Sequence, residues 1–185
     1  FYFRPGIIKP EYGELLQNVI LENSDEWKNK IIEQTSTYKN IAPYYEEVVQ
    51  ILKEIFVQNH KNLVDLNMNS IIHISQKLGL ETEFEKYSDY NFWFDEKPEK
   101  GTWGLKVAME MDAQKYINSP GGESFINAEG FTKADIRLGF LQPNIEPYDQ
   151  GGNKFVSHLS ILDVLFFNGL ENTKERIQNY KIKWV

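Results

Sequence analysis

An amphipathic helix that starts just after Pro43 constrains the fold of this chain more than any other feature of its sequence. Apolar side chains recur there at steps of three and four residues: Tyr45, Val48, Val49, Leu52, Ile55 and Phe56. That spacing places them on one face of a helix, with the charged residues between them on the opposite face. A helix of this kind is stable only when a second layer covers its apolar face. The sequence therefore predicts a packed domain in which Val49, Leu52 and Phe56 are buried.

Other stretches of the chain alternate between helix and strand patterns. We predict helices over residues 24–39, 63–78, 102–112, 128–134, 160–168 and 171–180, and strands over 14–22, 80–86, 115–118 and 136–142. Ser24 is the predicted N-cap of the first helix, and Gly79 ends the helix over 63–78, which has a possible break at 67–70. Residues 88–100 and 144–153 are predicted loops. This alternation predicts an α/β protein, a single domain over residues 1–185 with a mixed or partly parallel sheet and flanking helices.

The residue types present exclude several kinds of site. The chain has 185 residues and no cysteine, so a disulfide, a thiolate nucleophile and a cysteine-based zinc site are all excluded. His60, His73 and His158 are far apart and form no metal-binding motif. We therefore predict no metal site, and the sequence identifies no cofactor.

The charge of the chain argues against nucleic acid as its primary ligand. The formal net charge is −7, from 27 acidic and 20 basic residues, and such a field repels a phosphate backbone. Basic residues gather near the end, at Lys174, Arg176, Lys181 and Lys183; a solvated tail is the favoured interpretation and a local anion contact the minor one. No uncharged apolar run reaches the ~20 residues of a membrane span. We expect a cytoplasmic location, which the lack of cysteine fits.

Several polar residues lie in turns and loops, where binding and catalytic groups concentrate. Gly121 and Gly122 follow Pro120 and could present backbone N–H groups to an oxyanion, although a plain tight turn fits equally well. Glu123, Tyr148, Gln150 and Tyr116 are candidate substrate-binding residues, the last two as hydrogen-bonding partners of a sugar hydroxyl group. Trp93, in an aromatic loop, is a candidate for stacking on a sugar ring, although covering the edge of the core is the favoured role for such aromatics.

Two residues near the start of the helix over 160–168 are the candidate catalytic groups. His158 could deprotonate an attacking amine near neutral pH, and a surface histidine is the equally weighted alternative. Asp163 stands among apolar residues, so its carboxylate is expected either to face the helix N-terminus or to turn inward toward a partner. Ser160 precedes this apolar run by one residue, and its spacing to Asp163 predicts a helix cap rather than a nucleophile.

Motifs spread over most of the chain resemble the WbqC-like family of bacterial surface-polysaccharide gene clusters. The most specific is LSILDVLFFNG at residues 159–169, and others are YINSPGG at 116–122, IRLGF at 136–140 and YDQ at 148–150. Upstream, Trp27-Lys28, Tyr38 and APYY at 42–45 are also similar to the family pattern. The resemblance runs from about Trp27 onward.

The chain departs from the family pattern in two places. The opening segment of the family, with its Gln-Pro start and acidic strand, is not found, so the chain is expected to be a fragment or a shortened member. The helix before the Gly121-Gly122 turn often carries an arginine in the family, but Gly104 stands near that position here. An anion contact from that helix is therefore not expected.

The resemblance implies a role in the synthesis of O-antigen lipopolysaccharide or a related surface polysaccharide. The activity it implies is the transfer of a glycyl or other aminoacyl group onto an amino sugar. The implied partners are a nucleotide-activated amino sugar and an activated amino-acid donor. The alternative is a non-catalytic sugar-binding or scaffold protein of the same pathway. The lack of a strong catalytic signature favours this alternative, whereas the gene context of the family slightly favours transfer.

Overall fold

The computed structural model describes residues 5, 7, 15–22, 24–92 and 98–185. Within that part of the chain, six α-helices and a three-stranded mixed sheet confirm the predicted α/β class. The chain groups into two compact units. Unit 1 comprises Phe1–Ser88 and Glu146–Arg176, and unit 2 comprises Asp89–Ile145 and Ile177–Val185.

Unit 1 is built from helices. These are α1 (Glu26–Gln34), α2 (Tyr45–Val57), α3 (Leu63–Lys77) and α6 (Ile161–Gln178), the last of which has its final two residues in unit 2. The apolar face of α2 is buried as predicted, with Val49, Leu52 and Phe56 all less than a tenth exposed. Trp27 of α1 meets Phe56 edge to face, with 5.6 Å between ring centroids. Burial of these side chains supplies the main driving force for packing the helices together.

Helix α6 bends at Gly169, where the sequence predicted one helix to end and another to begin. Gly169 has φ 67° and ψ −174°, which is not helical geometry. A Cβ atom at this position would also collide with the ring of Tyr44. Both the backbone angle and the close approach require glycine. The bend therefore lets Tyr44 pack against the helix, and the Tyr44 N–H donates to the Phe166 carbonyl oxygen at 3.1 Å.

Unit 2 contains the sheet and two short helices. The helices are α4 (Trp103–Glu110) and α5 (Ala128–Lys133), and the strands are β1 (Lys115–Asn118), β2 (Arg137–Pro143) and β3 (Tyr180–Trp184). The strand order is β1-β2-β3, with β2 parallel to β1 and antiparallel to β3. A separate core of Ala108, Phe131, Ile136, Leu138 and Phe140 lies between the sheet and its helices.

Four predictions of local structure are wrong: two strands, one helix cap and one helix break. Residues 15–22 form a 3-10 turn (Leu16–Asn18) and single β-bridges, not a strand, and α1 starts at Glu26 with Asp25, not Ser24, before it. Residues 80–86 alternate as a strand would but have no strand assignment. Alternation of apolar and polar residues suits a segment for one face of a sheet. The segment forms a strand only where another strand lies close enough to pair with it. The predicted break in α3 is also absent.

The four basic residues predicted to form a solvated tail lie instead in two regular elements. Lys174 and Arg176 are in α6, and Lys181 and Lys183 are in strand β3. Apolar Tyr180, Ile182 and Trp184 alternate with two lysines, a strand pattern that the basic composition obscured. Trp184 packs where Gly139 of β2 leaves room, and the guanidinium of Arg137 lies 4.3 Å from its ring centroid. Because Gly139 has no side chain, Trp184 can pack over it while residues 180–184 pair with β2 as the third strand.

Candidate functional site

A buried carboxylate collects three hydrogen bonds at the start of α6. Asp163 is only 5% exposed, and its Oδ1 atom accepts from the Tyr148 hydroxyl at 2.6 Å and from Gln150 Nε2 at 2.9 Å. Its Oδ2 atom accepts from the Tyr38 hydroxyl at 3.0 Å. These four residues, here called the Asp163 cluster, come from three separate segments of unit 1. The Asp163 carboxylate therefore turns inward toward partners, which is one of the two orientations that the sequence left open, and it does not complete a capping box.

Gln150 ties the preceding loop to this carboxylate. Its Nε2 atom donates both to Asp163 and to the Val156 carbonyl oxygen at 3.1 Å, while its Oε1 atom accepts from the Val156 N–H at 2.8 Å. The side chain is 6% exposed, and Asn153 closes the turn by donating to the Gln150 carbonyl oxygen. Because both amide hydrogens of Gln150 are engaged, the residue organises the loop over 150–156.

The two tyrosines of the cluster keep their protons. Burial, followed by the hydrogen bond to Asp163, raises the pKa of Tyr38 to about 12. The same two causes, in the same order, raise the pKa of Tyr148 to about 12. Both phenols therefore donate to the carboxylate at neutral pH. Tyr38 is held flat against Phe166, with ring centroids 4.4 Å apart.

Arg176 lies against the ring of Tyr148, one member of the cluster. Its guanidinium carbon is 5.0 Å from the centroid of the Tyr148 ring. Its Nε atom donates to Asn168 Oδ1 at 2.9 Å, and its Nη1 atom donates to the Glu146 carbonyl oxygen at 3.0 Å. Asn168 is itself buried and fixed by a bond from its Nδ2 atom to the Val164 carbonyl oxygen. The arginine is thus held in one orientation.

His158 and Ser160 are close to Asp163 in sequence, but neither shares a hydrogen bond with the Asp163 cluster. His158 is exposed, has φ 61°, and its Nδ1 atom is 2.8 Å from the Ser157 hydroxyl oxygen. A positive φ is uncommon for a residue other than glycine. Ser160 Oγ accepts from the Leu162 N–H at 3.3 Å, which confirms the predicted cap at the start of α6. The hydroxyl of Ser160 therefore serves the helix end.

The remaining predicted site residues lie in unit 2 and share no hydrogen bond with the Asp163 cluster. The Tyr116 ring stacks on Phe131, and its hydroxyl accepts from Asn118 Nδ2 at 2.7 Å. The Gly122 N–H donates to the Ser119 carbonyl oxygen at 3.1 Å, which engages the donor that an oxyanion would need.

Gly121 and Glu123 make one contact each, the first within the turn and the second with a distant strand. The Gly121 carbonyl oxygen accepts from the Ser124 hydroxyl at 3.3 Å. The Glu123 carboxylate forms an ion pair with Lys183 of β3. The sharp turn predicted at Pro120 is a 3-10 turn over Pro120–Ser124.

The structure therefore brings together Tyr148, Gln150 and Asp163 from the predicted set. It adds Tyr38, which the sequence offered only as part of a family-like motif, and Arg176, which looked like part of a basic tail. Trp93 lies outside the described residues. Among the residues that are described, no three acidic or histidine side chains group as metal ligands would, and no helix is long and apolar enough to cross a bilayer.

Comparison with known families finds one match that spans most of the chain. The model of the WbqC-like protein family matches residues 7–175, so the match starts upstream of Trp27, where the visible motifs begin. It includes every member of the Asp163 cluster. The same comparison with curated proteins and with solved structures finds no match.

Proposed function

Because the chain belongs to the WbqC-like protein family, we propose that it transfers a glycyl or other aminoacyl group onto an amino sugar. The resemblance to this family implies a role in surface-polysaccharide synthesis. The observation that carries this proposal is the convergence of Tyr38, Tyr148 and Gln150 on the Asp163 carboxylate. Polar groups that meet beside aromatic rings suit a sugar, because its hydroxyls need hydrogen bonds and its ring carbons pack on apolar faces.

Within this proposal, the two tyrosines bind the acceptor. Each phenol already donates its proton to Asp163, so its oxygen accepts a hydrogen bond from a hydroxyl or amino group of the sugar. The Tyr148 ring packs edge to face on Phe155, with centroids 5.2 Å apart, so a ligand meets a supported aromatic surface. Fixed acceptors of this kind hold an amine in the orientation that attack requires.

Asp163 has a positioning role in this scheme. A carboxylate that accepts three hydrogen bonds is stabilised in its charged form and is correspondingly reluctant to take up a proton. Its effect on the reaction passes through Tyr38 and Tyr148, whose oxygen atoms it aligns. The catalytic role first assigned to Asp163 is therefore replaced, in this proposal, by the alignment of its neighbours.

His158 is the proposed general base. The amine nitrogen of the sugar attacks the carbonyl carbon of an activated amino-acid donor, and a C–N bond forms. The bond from that carbon to the leaving group breaks, and the leaving group departs with the electron pair. The amine proton passes to His158 Nε2, because the other ring nitrogen, Nδ1, is hydrogen-bonded to the Ser157 hydroxyl group. The exposed loop over 150–160 keeps this ring accessible.

A second candidate is sugar binding without catalysis in the same pathway. It is favoured because the side-chain polar atoms of Gln150 and Asp163 are already hydrogen-bonded within the protein. A site of this kind binds a ligand through the tyrosine oxygens alone. The two candidates share the acceptor and differ only in the role of His158.

A transfer assay separates them. Purified protein is incubated with a nucleotide-activated amino sugar and a glycyl thioester, and the product is measured by mass spectrometry. We expect transfer by the wild type and a loss of about 10²-fold or more in His158→Gln, since general bases contribute at least that much. His73→Gln, at a histidine paired with Glu54, is the control. Sugar binding with no product under any donor establishes the second candidate.

A further inference from the structure

The guanidinium of Arg176 contacts uncharged groups among the residues that the structure describes. Its two hydrogen-bond acceptors are the Asn168 side-chain oxygen and the Glu146 backbone carbonyl, and its face rests on the Tyr148 ring. Among the described residues, no carboxylate lies within ion-pair distance of its guanidinium. That is notable in a chain with 27 acidic residues and a formal net charge of −7. The guanidinium is therefore held by hydrogen bonds and ring stacking, and not by an ion pair with any described residue.

The position of Arg176 near the end of α6 explains part of this arrangement. A cation in the last turn of a helix interacts favourably with the carbonyl end of the helix dipole. That interaction requires only a positive charge and would be satisfied by a flexible side chain. It does not account for a guanidinium clamped by a buried asparagine, a carbonyl oxygen and an aromatic ring. A guanidinium has five N–H donors, and two of them are used here.

We infer that Arg176 binds an oxyanion of the ligand, and that this anion is the phosphate attached to the amino sugar. The inference rests on the proposed function, because it takes its ligand from the same site. Tyr148 links Arg176 to the Asp163 cluster. Its ring stacks against the guanidinium, and its hydroxyl group donates to Asp163. A sugar held at the tyrosine oxygens therefore has its anionic substituent next to Arg176. The planar fork of arginine suits the geometry of phosphate and carboxylate oxygens.

Binding measurements with three small probes test this inference. Glucosamine 1-phosphate, glucosamine and glucuronate are titrated into the wild-type protein by calorimetry. We expect glucosamine 1-phosphate to bind about tenfold or more tightly than glucosamine, since charge-assisted hydrogen bonds are worth at least that ratio. Arg176→Gln should reduce the ratio to about one while leaving the affinity for glucosamine unchanged. Preference for glucuronate over both other probes would identify a carboxylate and overturn the assignment to phosphate.

Two further variants keep the result interpretable. Lys174→Gln removes the same charge from the same helix at a side chain that packs toward Gly79, and should leave the ratio as in the wild type. Arg176→Lys keeps the charge but loses the stacked fork, so it should lower the ratio even where Arg176→Gln folds poorly. Equal wild-type binding of glucosamine and its phosphate would overturn the inference and leave the transferase proposal standing. Failure of every probe to bind would overturn both.

Discussion

Tyr148 and Tyr116 are both half-buried tyrosines close to a turn, yet their hydroxyl groups serve different ends. The Tyr148 hydroxyl reaches a buried carboxylate in a helix, where donors from two other positions also arrive. The Tyr116 hydroxyl meets Asn118, two residues away on the same strand. The first bond belongs to a network that several segments must assemble, whereas the second completes a local structure. The sequence offered Tyr148 and Tyr116 as equally good candidates for a binding site. Only the Tyr148 hydroxyl joins a hydrogen-bond network between distant segments.

The acidic residues of the two regions explain the difference. Asp163 is 5% exposed, and a buried carboxylate must be compensated by hydrogen bonds, so it draws donors from a distance. Glu123 is exposed to water, where its ion pair with Lys183 competes with solvation. Burial of the charge, rather than its presence near a turn, is therefore what organises a site in this protein.

Removing the buried carboxylate should give the largest loss of stability. Asp163→Ala leaves the donors of Tyr38, Tyr148 and Gln150 without their acceptor, and we expect the free energy of unfolding to fall by about 2–5 kcal/mol. The matched variant Glu123→Ala should cost less than about 1 kcal/mol, because an exposed ion pair contributes little. Urea unfolding of both variants measures the difference. Equal losses would show that the two carboxylates do not differ as described.

Alkaline titration should reveal the tyrosines of the Asp163 cluster. The pKa values of Tyr38 and Tyr148 are raised from 10.0 to about 12. Because the folded values exceed the unfolded ones, their contribution to stability is complete below pH 10 and is lost as the pH rises from 10 to 12. In Asp163→Asn both pKa values should fall part of the way, since burial persists.

Ultraviolet absorbance follows phenolate formation, and Tyr38→Phe and Tyr148→Phe assign the two steps. Subtracting each variant's titration from that of the wild type isolates one tyrosine at a time. Phenolates of these two residues that form at pH 10 in the wild type would contradict the geometry of the cluster.

In unit 2, the local arrangement around Tyr116 should depend on Gly104. A Cβ atom there would overlap the Tyr116 phenol, which is held between Phe131 and Asn118. Gly104→Ala should therefore destabilise the protein by about 1–3 kcal/mol, as overpacking does. Gly121→Ala is the control, because nothing lies within 4 Å of its added Cβ atom, and its effect should stay within about 0.5 kcal/mol. Thermal unfolding of both proteins decides whether the close contact exists.

The smallest effect is expected at the cap of α6. Ser160→Ala should lower stability by about 0.5–2 kcal/mol, because the Leu162 N–H loses its acceptor, and Ser160→Asp should retain most of it. Turnover per folded molecule should be unchanged in both variants. A fully folded Ser160→Asp protein without activity would instead make the hydroxyl a reacting group. This pair therefore tests whether the helix that carries Asp163 needs its cap only for structure.

Local patterns were enough to predict much of the architecture. The apolar face of α2, strands β1 and β2, and the interruption of α6 at Gly169 all follow from the spacing of neighbouring residues. Each depends on interactions within a few residues or on burial of a single continuous face. The cap at Ser160 belongs to the same group, because its hydrogen bond spans two residues. The sequence by itself also carried the family, through motifs that the match over residues 7–175 bears out.

Only the tertiary structure decided which residues meet. Residues 80–86 and 180–184 both alternate as strands do, but only the second segment lies beside a strand with a bare glycine to receive it. Likewise, the sequence could not say that Tyr38 and Asp163, 125 residues apart, share a hydrogen bond. The physical reason is the same in both cases. A pairing between distant segments depends on how the chain brings them together, which no local pattern encodes.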